Sequence, residues 1–437
     1  MREVLRQLIA DSLAAQVPPH TRRDARLPAV PGKAFAVIGM RRSGKTTFLW
    51  QCLADRLAAG TPRSALVYLN FEDERLVGMV STDLQWVVEE YYRLQPQWRD
   101  AHKVTFFLDE IQVVPGWETF ARRLMDTEKV DIFLSGSSAR LLSREVATSM
   151  RGRSMEVLIH PFSFRESLRH ANMEPASPWS QLSKAVRSDL DSRLRSYLVA
   201  GGFPEAQGIP ARDRLQLLQT YVDVAVLRDI IERYGISNPI ALRWLLRHLL
   251  ANPAAPFSIQ KFYDVLRSQG VPVSKDTLHS LLAHLEDSFL IRTVSIHAAS
   301  ERQRMVNPRK AYPIDPGLIP VYERTGRSNL GQSLESSVLV ELERRGYTTD
   351  YLRTSAGLEV DFIAYEPTAG WQLIQVCTDI SSPATREREV RALLAAAVAY
   401  TEAKATLVTL DSIPPNPPLP MPIIWQPAAA WFLADEV

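Results

Sequence analysis

The residues best suited to chemistry lie in a short stretch, GMRRSGKTT, that follows an apolar run. Glycines at its first and sixth positions allow the backbone to curl, so that successive N–H groups point at one anion. Lys45 supplies positive charge to phosphate oxygens, and the Thr46 hydroxyl is a ligand for Mg²⁺. The spacing G-x-x-x-x-G-K-T therefore predicts a phosphate-binding loop. Its residues are Gly39, Met40, Arg41, Arg42, Ser43, Gly44, Lys45, Thr46 and Thr47.

An acidic pair, Asp109 and Glu110, ends a second apolar run, VTFFL. Asp109 is suited to hold Mg²⁺, directly or through water, and Glu110 is suited to polarise an attacking water. Acidic pairs also cap helices, which is the alternative interpretation. Because the pair follows a complete phosphate-binding loop, the sequence favours a site for ATP and Mg²⁺.

A third run, DIFLSG, ends in serines that would lie between the two strands carrying these motifs. Ser135 is the first candidate to sense the γ-phosphate and Ser137 is the second; an ordinary turn or helix cap is the alternative. Arg140, Arg151 and Arg153 follow, and an arginine stabilises the charge that develops in phosphoryl transfer. A surface ion pair is the alternative for each arginine. Neither the acting arginine nor its subunit follows from the sequence.

The elements that must position these residues alternate between strands and helices from residue 34 to about 159. The strand candidates AFAVIG, ALVYLNF, VTFFLDE and DIFLSG are continuous apolar runs, which is typical of a parallel sheet buried on both faces. The fold class predicted here is α/β, with a P-loop core. We expect four regions: 1–160 for this core, 161–238 for helices that complete it, and 239–320 and 321–437 for further domains.

Composition narrows the class of protein. The chain has 437 residues, 46% hydrophobic and 23% charged, with a net charge of +2. It therefore predicts a protein of several domains, with no global charge that attracts nucleic acid or an anionic membrane. The two cysteines, Cys52 and Cys377, exclude a disulfide framework. No run of 18 apolar residues is present and the N-terminus predicts an amphipathic helix, so we expect a cytoplasmic protein with no membrane span.

An ordered set of motifs resembles a known family. GMRRSGKTT, YLNFED, FFLDEIQ, SGSSARLLS, RGRS and HPFSFRE, followed by GGFPE, DIIERYGI and KAYPIDPGL, are similar to bacterial and archaeal AAA+-like ATPases with a C-terminal domain of unknown function. The resemblance covers roughly residues 1 to 410. It implies ATP binding and hydrolysis. Relatives often assemble into rings, but the sequence shows no specific interface for an oligomer.

The segment from residue 239 to 315 has the pattern of a winged helix. Helices are expected at 240–251, 258–268 and 274–289, and wing strands at 290–297 and 311–315. From residue 258 to 310 there are eight Lys or Arg and five Asp or Glu, a net charge of only +3. Contact with double-stranded DNA is one interpretation, and a contact with protein is the other. The candidate DNA contacts are Lys275, Thr277, His279, Arg302, Arg304, Arg309 and Lys310.

A second, degenerate site is expected near the C-terminus. Glu335 on a helix, Asp361 on a strand, and Gln375 and Cys377 on the next strand resemble a restriction-endonuclease-like α/β fold. Active members carry an acid and a lysine where Gln375 and Cys377 stand, and their carboxylates hold Mg²⁺. From residue 331 to 410 there are seven basic and eleven acidic residues, a net charge of −4. We therefore expect a nuclease-like domain without activity; a pair of structural carboxylates is the alternative.

Together these patterns favour a Mg²⁺-dependent ATPase that couples nucleotide binding and hydrolysis to engagement of DNA. Two alternatives remain open from the sequence. One is an ATP-gated switch that binds a protein partner and no nucleic acid. The other is a metal-dependent nuclease.

Overall fold

The computed structural model of the chain describes residues 1–136, 150, 152–323 and 329–434. Three candidates from the sequence, Ser137, Arg140 and Arg151, lie outside the described residues. The chain forms two compact units, one of Met1–His160 with Asp287–Phe289 and one of Pro161–Glu286 with Leu290–Val437. Among the described residues, no helix is both long and apolar enough to pass through a membrane. The four-region division stays a prediction.

The first unit is built on a parallel sheet, as predicted from the apolar runs. Its five described strands have the order β2-β3-β4-β1-β5, so β4 lies between β1 and β3. All six residues of β3 are buried, which explains its uninterrupted apolar run. The last strand was not predicted, because the charged Glu156 interrupts its apolar pattern. The strands are β1 (Ala34–Ile38), β2 (Leu66–Asn70), β3 (Val104–Asp109), β4 (Val130–Gly136) and β5 (Ser154–Leu158).

Helices join these strands and cover the sheet. Phe48 and Leu49, on the helix that follows the phosphate-binding loop, pack in one buried cluster with Val37, Phe107 and Phe133 of the sheet. Burial of this face fixes the start of that helix against the ends of the strands, where the candidate residues lie. The described helices of this unit are α1 (Arg2–Ala14), α2 (Lys45–Ala58), α3 (Gln85–Leu94) and α4 (Trp117–Thr127).

The second unit begins with helices, so the mainly helical pattern of residues 161–238 is observed, while their role in completing the P-loop core stays a prediction. Ser163 opens the first of them with a reciprocal cap: its hydroxyl accepts from the Glu166 N–H at 3.0 Å, and Glu166 accepts from the Ser163 N–H at 2.9 Å. The helices are α5 (Phe164–His170), α6 (Lys184–Ala200) and α7 (Ala211–Val224), with a π-helix at Ala225–Glu232.

Three helices and a small sheet follow, close to the predicted bounds. Ser258 and Ser274 cap the second and third helices, since their hydroxyls accept from the N–H groups of Lys261 and Thr277. A short helix, Glu301–Val306, lies between the two wing strands, where the sequence predicted no element. The elements are α8 (Pro239–Ala251), β6 (Pro256–Phe257), α9 (Ile259–Ser268), α10 (Lys275–Asp287), β7 (Ile291–Val294), α11 (Glu301–Val306), β8 (Arg309–Pro313) and α12 (Ile319–Tyr322).

A mixed sheet with a helix on each face completes the second unit. Its described strands have the order β13-β12-β11-β10-β9. Phe362 packs with Leu334 and Val338 of one helix, whereas the next residue, Ile363, packs with Leu393 of the other. The elements are α13 (Leu330–Arg344), β9 (Thr348–Arg353), β10 (Glu359–Glu366), β11 (Gly370–Cys377), α14 (Pro383–Ala399), β12 (Lys404–Thr409), β13 (Ile424–Pro427) and α15 (Ala428–Phe432).

Two motifs that are distant in sequence, GGFPE and PIDPGL, meet at a buried carboxylate. Asp315 accepts from the Gly202 N–H at 2.6 Å and from the Gly317 N–H at 2.9 Å. A side chain at Gly201, where φ is +77°, would place its Cβ 1.9 Å from Asp315 Oδ1. The glycines are therefore needed for close approach, and the carboxylate joins two segments of the unit.

We expect ionisation of Asp315 to destabilise this unit as the pH rises. Burial raises the pKa of the carboxyl from 3.8 to about 6. The folded chain then holds a proton that the unfolded chain releases, so the stabilisation is complete below pH 3.8 and is lost as the pH rises through 6. The loss should reach about 3 kcal/mol at most.

Urea unfolding between pH 4 and pH 7 measures this effect. Asp315→Asn has no proton to release at this position, so its free energy of unfolding should fall less steeply with pH than that of the parent. An identical slope in the two proteins would contradict the assignment to Asp315.

Candidate functional site

The phosphate-binding loop connects β1 to α2 in a conformation that depends on two glycines. Gly39 has φ +147°, and a Cβ on it would lie 2.3 Å from the Ile159 carbonyl oxygen. Gly44 has φ +102° and is the N-cap of α2. No larger residue fits at Gly39, and the positive end of α2 faces the loop, which is the arrangement that receives an anion.

Lys45 is the buried cation of this loop. Its side chain is 5% exposed, and its ammonium donates to the carbonyl oxygens of Gly39 and Met40, both at 3.1 Å. The lysine thus lies across the mouth of the loop, with its charge at the position where the sequence predicts phosphate binding.

Asp109 is the centre of a network of hydroxyl groups. Its Oδ2 accepts from Thr46 Oγ1 at 2.8 Å and from the Tyr68 hydroxyl at 2.7 Å, and its Oδ1 accepts from Ser135 Oγ. Burial raises the pKa of Asp109 above its ordinary value, while the hydrogen bonds from Ser135 and Tyr68 act in the opposite direction. One carboxylate therefore links α2, β2, β3 and β4, and places Thr46 beside Asp109, the two residues expected to hold Mg²⁺.

Ser135 also fixes the backbone of the second acid. Its Oγ accepts from the Glu110 N–H at 3.0 Å. Glu110 has φ +53°, which is uncommon for a residue with a side chain, and its carboxylate accepts from the Gln112 amide. The structure thus brings Ser135 and Glu110 together at the ends of adjacent strands.

Two residues near this site, Tyr68 and Glu72, were missed as site residues in the sequence. Tyr68 donates to Asp109, and its ring lies 4.5 Å from that of Trp50. Glu72, in the motif YLNFED, lies 3.8 Å from the Arg41 guanidinium. Burial and then the neighbouring Glu110 raise the pKa of Glu72, whereas Arg41 lowers it. For Glu72 the available signal was an acidic residue just beyond β2, which is adjacent to β3; for Tyr68 it was a hydroxyl group within the mainly apolar run of β2.

Arg23 holds the backbone of the phosphate-binding loop through its buried guanidinium. It is 4% exposed, and its guanidinium donates to the Ser43 carbonyl at 2.9 Å and to the His160 carbonyl. The backbone of Arg23 also exchanges two hydrogen bonds with the Gln51 amide, at 2.7 and 3.1 Å. No sequence signal separates Arg23 from the other arginines of its proline-rich loop.

Of the three candidate arginines, only Arg153 is among the described residues. It forms an ion pair with Asp126, with 43% of its side chain exposed. That geometry fits the surface ion pair that the sequence left open as the alternative for this residue.

The four residues of the expected second site do not form a set of metal ligands. Glu335 and Asp361 both face Lys310, whose ammonium lies 3.2 Å from Glu335 Oε1, 3.6 Å from Asp361 Oδ1 and 2.9 Å from Glu359 Oε1. Tyr312 donates to Glu335 at 2.8 Å. In the described part of the chain, no group of three or more His, Cys, Asp or Glu residues has an arrangement that could hold a metal ion.

Gln375 and Cys377 are engaged elsewhere. The Gln375 amide donates to Glu389 at 2.7 Å and accepts from the Asp361 N–H at 3.3 Å. The Cys377 thiol donates to the Asp379 carbonyl at 2.9 Å, and burial raises its pKa to about 11. Neither side chain supplies the acid or the cation of an active nuclease site.

The expectation that Lys310 contacts DNA is wrong. Lys310 is 3% exposed, and the neighbouring Glu335, Asp361 and Glu359 raise its pKa against the effect of burial. Its charge is neutralised within the fold, so it is not available to a phosphate backbone.

The other candidate DNA contacts remain accessible. Lys275, Thr277 and His279 are exposed at the start of α10, and Arg302 is exposed on α11. Arg309 is half-buried, and Arg304 lies 3.4 Å from Asp350 with 40% of its side chain exposed.

Comparisons with known proteins identify two domains in the chain. An AAA domain matches residues 31–168, and a domain of unknown function, DUF8612, matches residues 191–328. An uncharacterized protein of Methanocaldococcus jannaschii is 32% identical over 376 residues, which cover 85% of this chain and 80% of that protein. An uncharacterized protein of Haemophilus influenzae is 30% identical over 75% of this chain and 78% of its own length.

Solved structures give a more distant likeness. A Walker-type ATPase of Pyrococcus abyssi is 15% identical, with a TM-score of 0.41 over 74% of this chain and 95% of that one.

Removal of Arg23 should destabilise the first unit far more than removal of its neighbour. Arg23→Ala leaves two buried carbonyl groups without their donor, and we expect a loss of about 2–4 kcal/mol in the free energy of unfolding. Arg22 is the matched control, because it is 61% exposed and pairs with Asp55 on the surface. Arg22→Ala should cost less than about 1 kcal/mol. Equal losses in urea unfolding would show that Arg23 does not support the loop.

Proposed function

We propose that this chain, which belongs to the same family as the uncharacterized M. jannaschii protein and contains an AAA domain, is a Mg²⁺-dependent ATPase. The observation that carries the proposal is that five residues meet where β3 and β4 end and α2 begins. They are Lys45, Thr46, Asp109, Glu110 and Ser135. Each of these residues has the chemistry that phosphoryl transfer to water requires.

The residues fit a nucleotide with its metal. The closed backbone at Gly39 and the N-terminus of α2 suit the phosphates, and Lys45 would exchange its two carbonyl partners for phosphate oxygens. Thr46 and Asp109 would hold Mg²⁺, since their oxygens lie 2.8 Å apart. When bound, Mg²⁺ neutralises charge on the phosphates. Tyr68 and Ser135 would keep the Asp109 carboxylate oriented toward it.

Glu110 is the residue proposed to act on water. Its carboxylate would orient the water and accept its proton, while the Ser135 hydroxyl holds the Glu110 N–H and stays near the transferred group. Arg140, Arg151 or Arg153 would then stabilise the developing charge. For Arg153 this role requires release from Asp126.

Substitution of Glu110 should separate ATP binding from hydrolysis. Glu110→Gln should reduce steady-state turnover roughly 10²- to 10⁴-fold and leave ATP affinity within about threefold, because only proton transfer is lost. Lys45→Ala should lose ATP affinity itself. Glu74→Gln, at an exposed residue outside the network, is the control. Unchanged turnover in Glu110→Gln would remove Glu110 from the mechanism.

We further propose that nucleotide turnover is coupled to DNA through a winged helix formed by α8, α9, α10 and the β6-β8-β7 sheet. Support comes from the exposed start of α10, where Lys275 and Thr277 follow the Ser274 cap, and from Arg302, Arg304 and Arg309 beyond it. In this proposal a change of nucleotide state alters how the second unit engages duplex DNA. No cleavage is expected, because Lys310 already compensates the carboxylates that a nuclease uses for metal.

Charge reversal on α10 tests the DNA proposal. Lys275→Glu should weaken binding to a mixed-sequence duplex by at least about tenfold and reduce the salt dependence of binding. Lys184→Glu is a matched control, because Lys184 is also an exposed first residue of a helix capped by a serine. Binding that both variants weaken equally, or a duplex that is cut in Mg²⁺, would contradict the proposal.

A further inference from the structure

A groove between α8, α9 and α12 is separate from every site described so far. It has a volume of about 390 Å³ and opens to the surface of the second unit. The residues that line it include Trp244, Arg247, His248, Ala251, Phe262 and Val265. Because its lining is mainly apolar, the groove suits a bulky apolar side chain better than a small metabolite with many polar groups.

The groove has an apolar floor and an exposed aromatic wall. Phe262 is 5% exposed at the floor, whereas Trp244 is 48% and Val265 51% exposed. The core face of α8 is supplied by other residues, Leu242, Leu245, Leu246, Leu249 and Leu250, all of which are buried. Trp244 is therefore not needed to hold the helix in place, and a large exposed aromatic residue beside a groove is typical of a binding surface.

The charged side chains of α8, the helix on one side of the groove, are all basic. The helix contains two arginines and a histidine and no Asp or Glu. Arg243 and Arg247 are both exposed, and neither has an ion-pair partner among the described residues. An acidic group beside the apolar groove would meet an uncompensated guanidinium, which can bind a carboxylate through two parallel hydrogen bonds.

We infer that this groove binds a segment of a partner protein in which carboxylates flank a bulky apolar anchor. The anchor would fill the space between Trp244, Phe262 and Val265, and the carboxylates would pair with Arg247 and Arg243. This inference goes beyond the ATPase and DNA proposals and does not depend on either.

Nucleic acid fits the groove less well. A phosphate backbone that crossed the groove would pass Asp264 of α9 and the lining residue Glu323, whereas a carboxylate beside α8 needs only the arginines of that helix.

Selection of peptides identifies the ligand chemistry directly. The full chain is used as bait for a random 12-residue peptide library displayed on phage, and peptides that bind the Trp244→Ala variant are removed. We expect the remaining peptides to combine Trp, Phe or Leu with two or more Asp or Glu. A set without acidic residues, or no Trp244-dependent peptide at all, would overturn the inference.

Fluorescence anisotropy with one selected peptide then tests the contacts. Trp244→Ala and Arg247→Glu should each weaken binding by about tenfold or more. Ile240→Ala and Arg267→Glu are matched controls on the same two helices, with exposed side chains that do not line the groove. These controls should stay within about twofold. If Arg267→Glu and Arg247→Glu weakened peptide binding equally, the loss would come from the change in net charge. That result would contradict a specific site.

Two other occupants would give distinct results in the same experiments. Trp244-dependent binding of a single-stranded oligonucleotide that competes with the peptide would assign the groove to nucleic acid and overturn the inference. Self-association of the chain that disappears in Trp244→Ala would assign it to a second copy and overturn it as well. A Trp244→Ala variant that unfolds at the same urea concentration as the parent confirms that the substitution acts at the groove alone.

Discussion

The sharing of one buried carboxylate by three hydroxyl groups is the constraint on which the first unit depends. Asp109 receives hydrogen bonds from Thr46, Tyr68 and Ser135, which lie on three different elements. Burial raises the pKa of Asp109, and the hydrogen bonds from the three hydroxyl groups offset only part of that rise. These hydrogen bonds therefore fix the position of the phosphate-binding loop relative to β3, which ends in the acidic pair, and to its neighbours β2 and β4. A metal ligand oriented in this way needs little rearrangement when it binds.

In a second cluster of carboxylates, a lysine side chain compensates the negative charge instead of hydroxyl groups. In the C-terminal region the ammonium of Lys310 lies among Glu335, Glu359 and Asp361, so a cation from the chain itself compensates most of their charge. The lysine belongs to β8 of the small sheet, while the carboxylates belong to α13 and β10, so the cluster also ties these elements together. Pairing of this kind favours a structural role for the region, because removal of one partner would leave buried charge uncompensated.

Much of the fold follows from local patterns. Four strands of the parallel sheet are apolar runs buried on both faces, and Ser163, Ser258 and Ser274 occupy helix caps, so each can be recognised from nearby residues alone. The loop and the acidic pair follow from the spacing of their residues. Long-range partners could not be predicted: the side chain of Arg23 reaches His160, and that of Lys310 reaches Asp361, through tertiary contacts that no local pattern encodes. For Lys310 this led to the wrong assignment, because a basic residue in a wing is indistinguishable in sequence from a buried counter-ion.

The most direct test of this account is the Mg²⁺ dependence of ATP affinity in the parent and in Asp109→Asn. If Asp109 is the oriented metal ligand, Mg²⁺ should strengthen ATP binding by the parent, and Asp109→Asn should lose most of that gain while its affinity in EDTA stays close to that of the parent. The same gain from Mg²⁺ in both proteins would show that the network around Asp109 does not prepare a metal site.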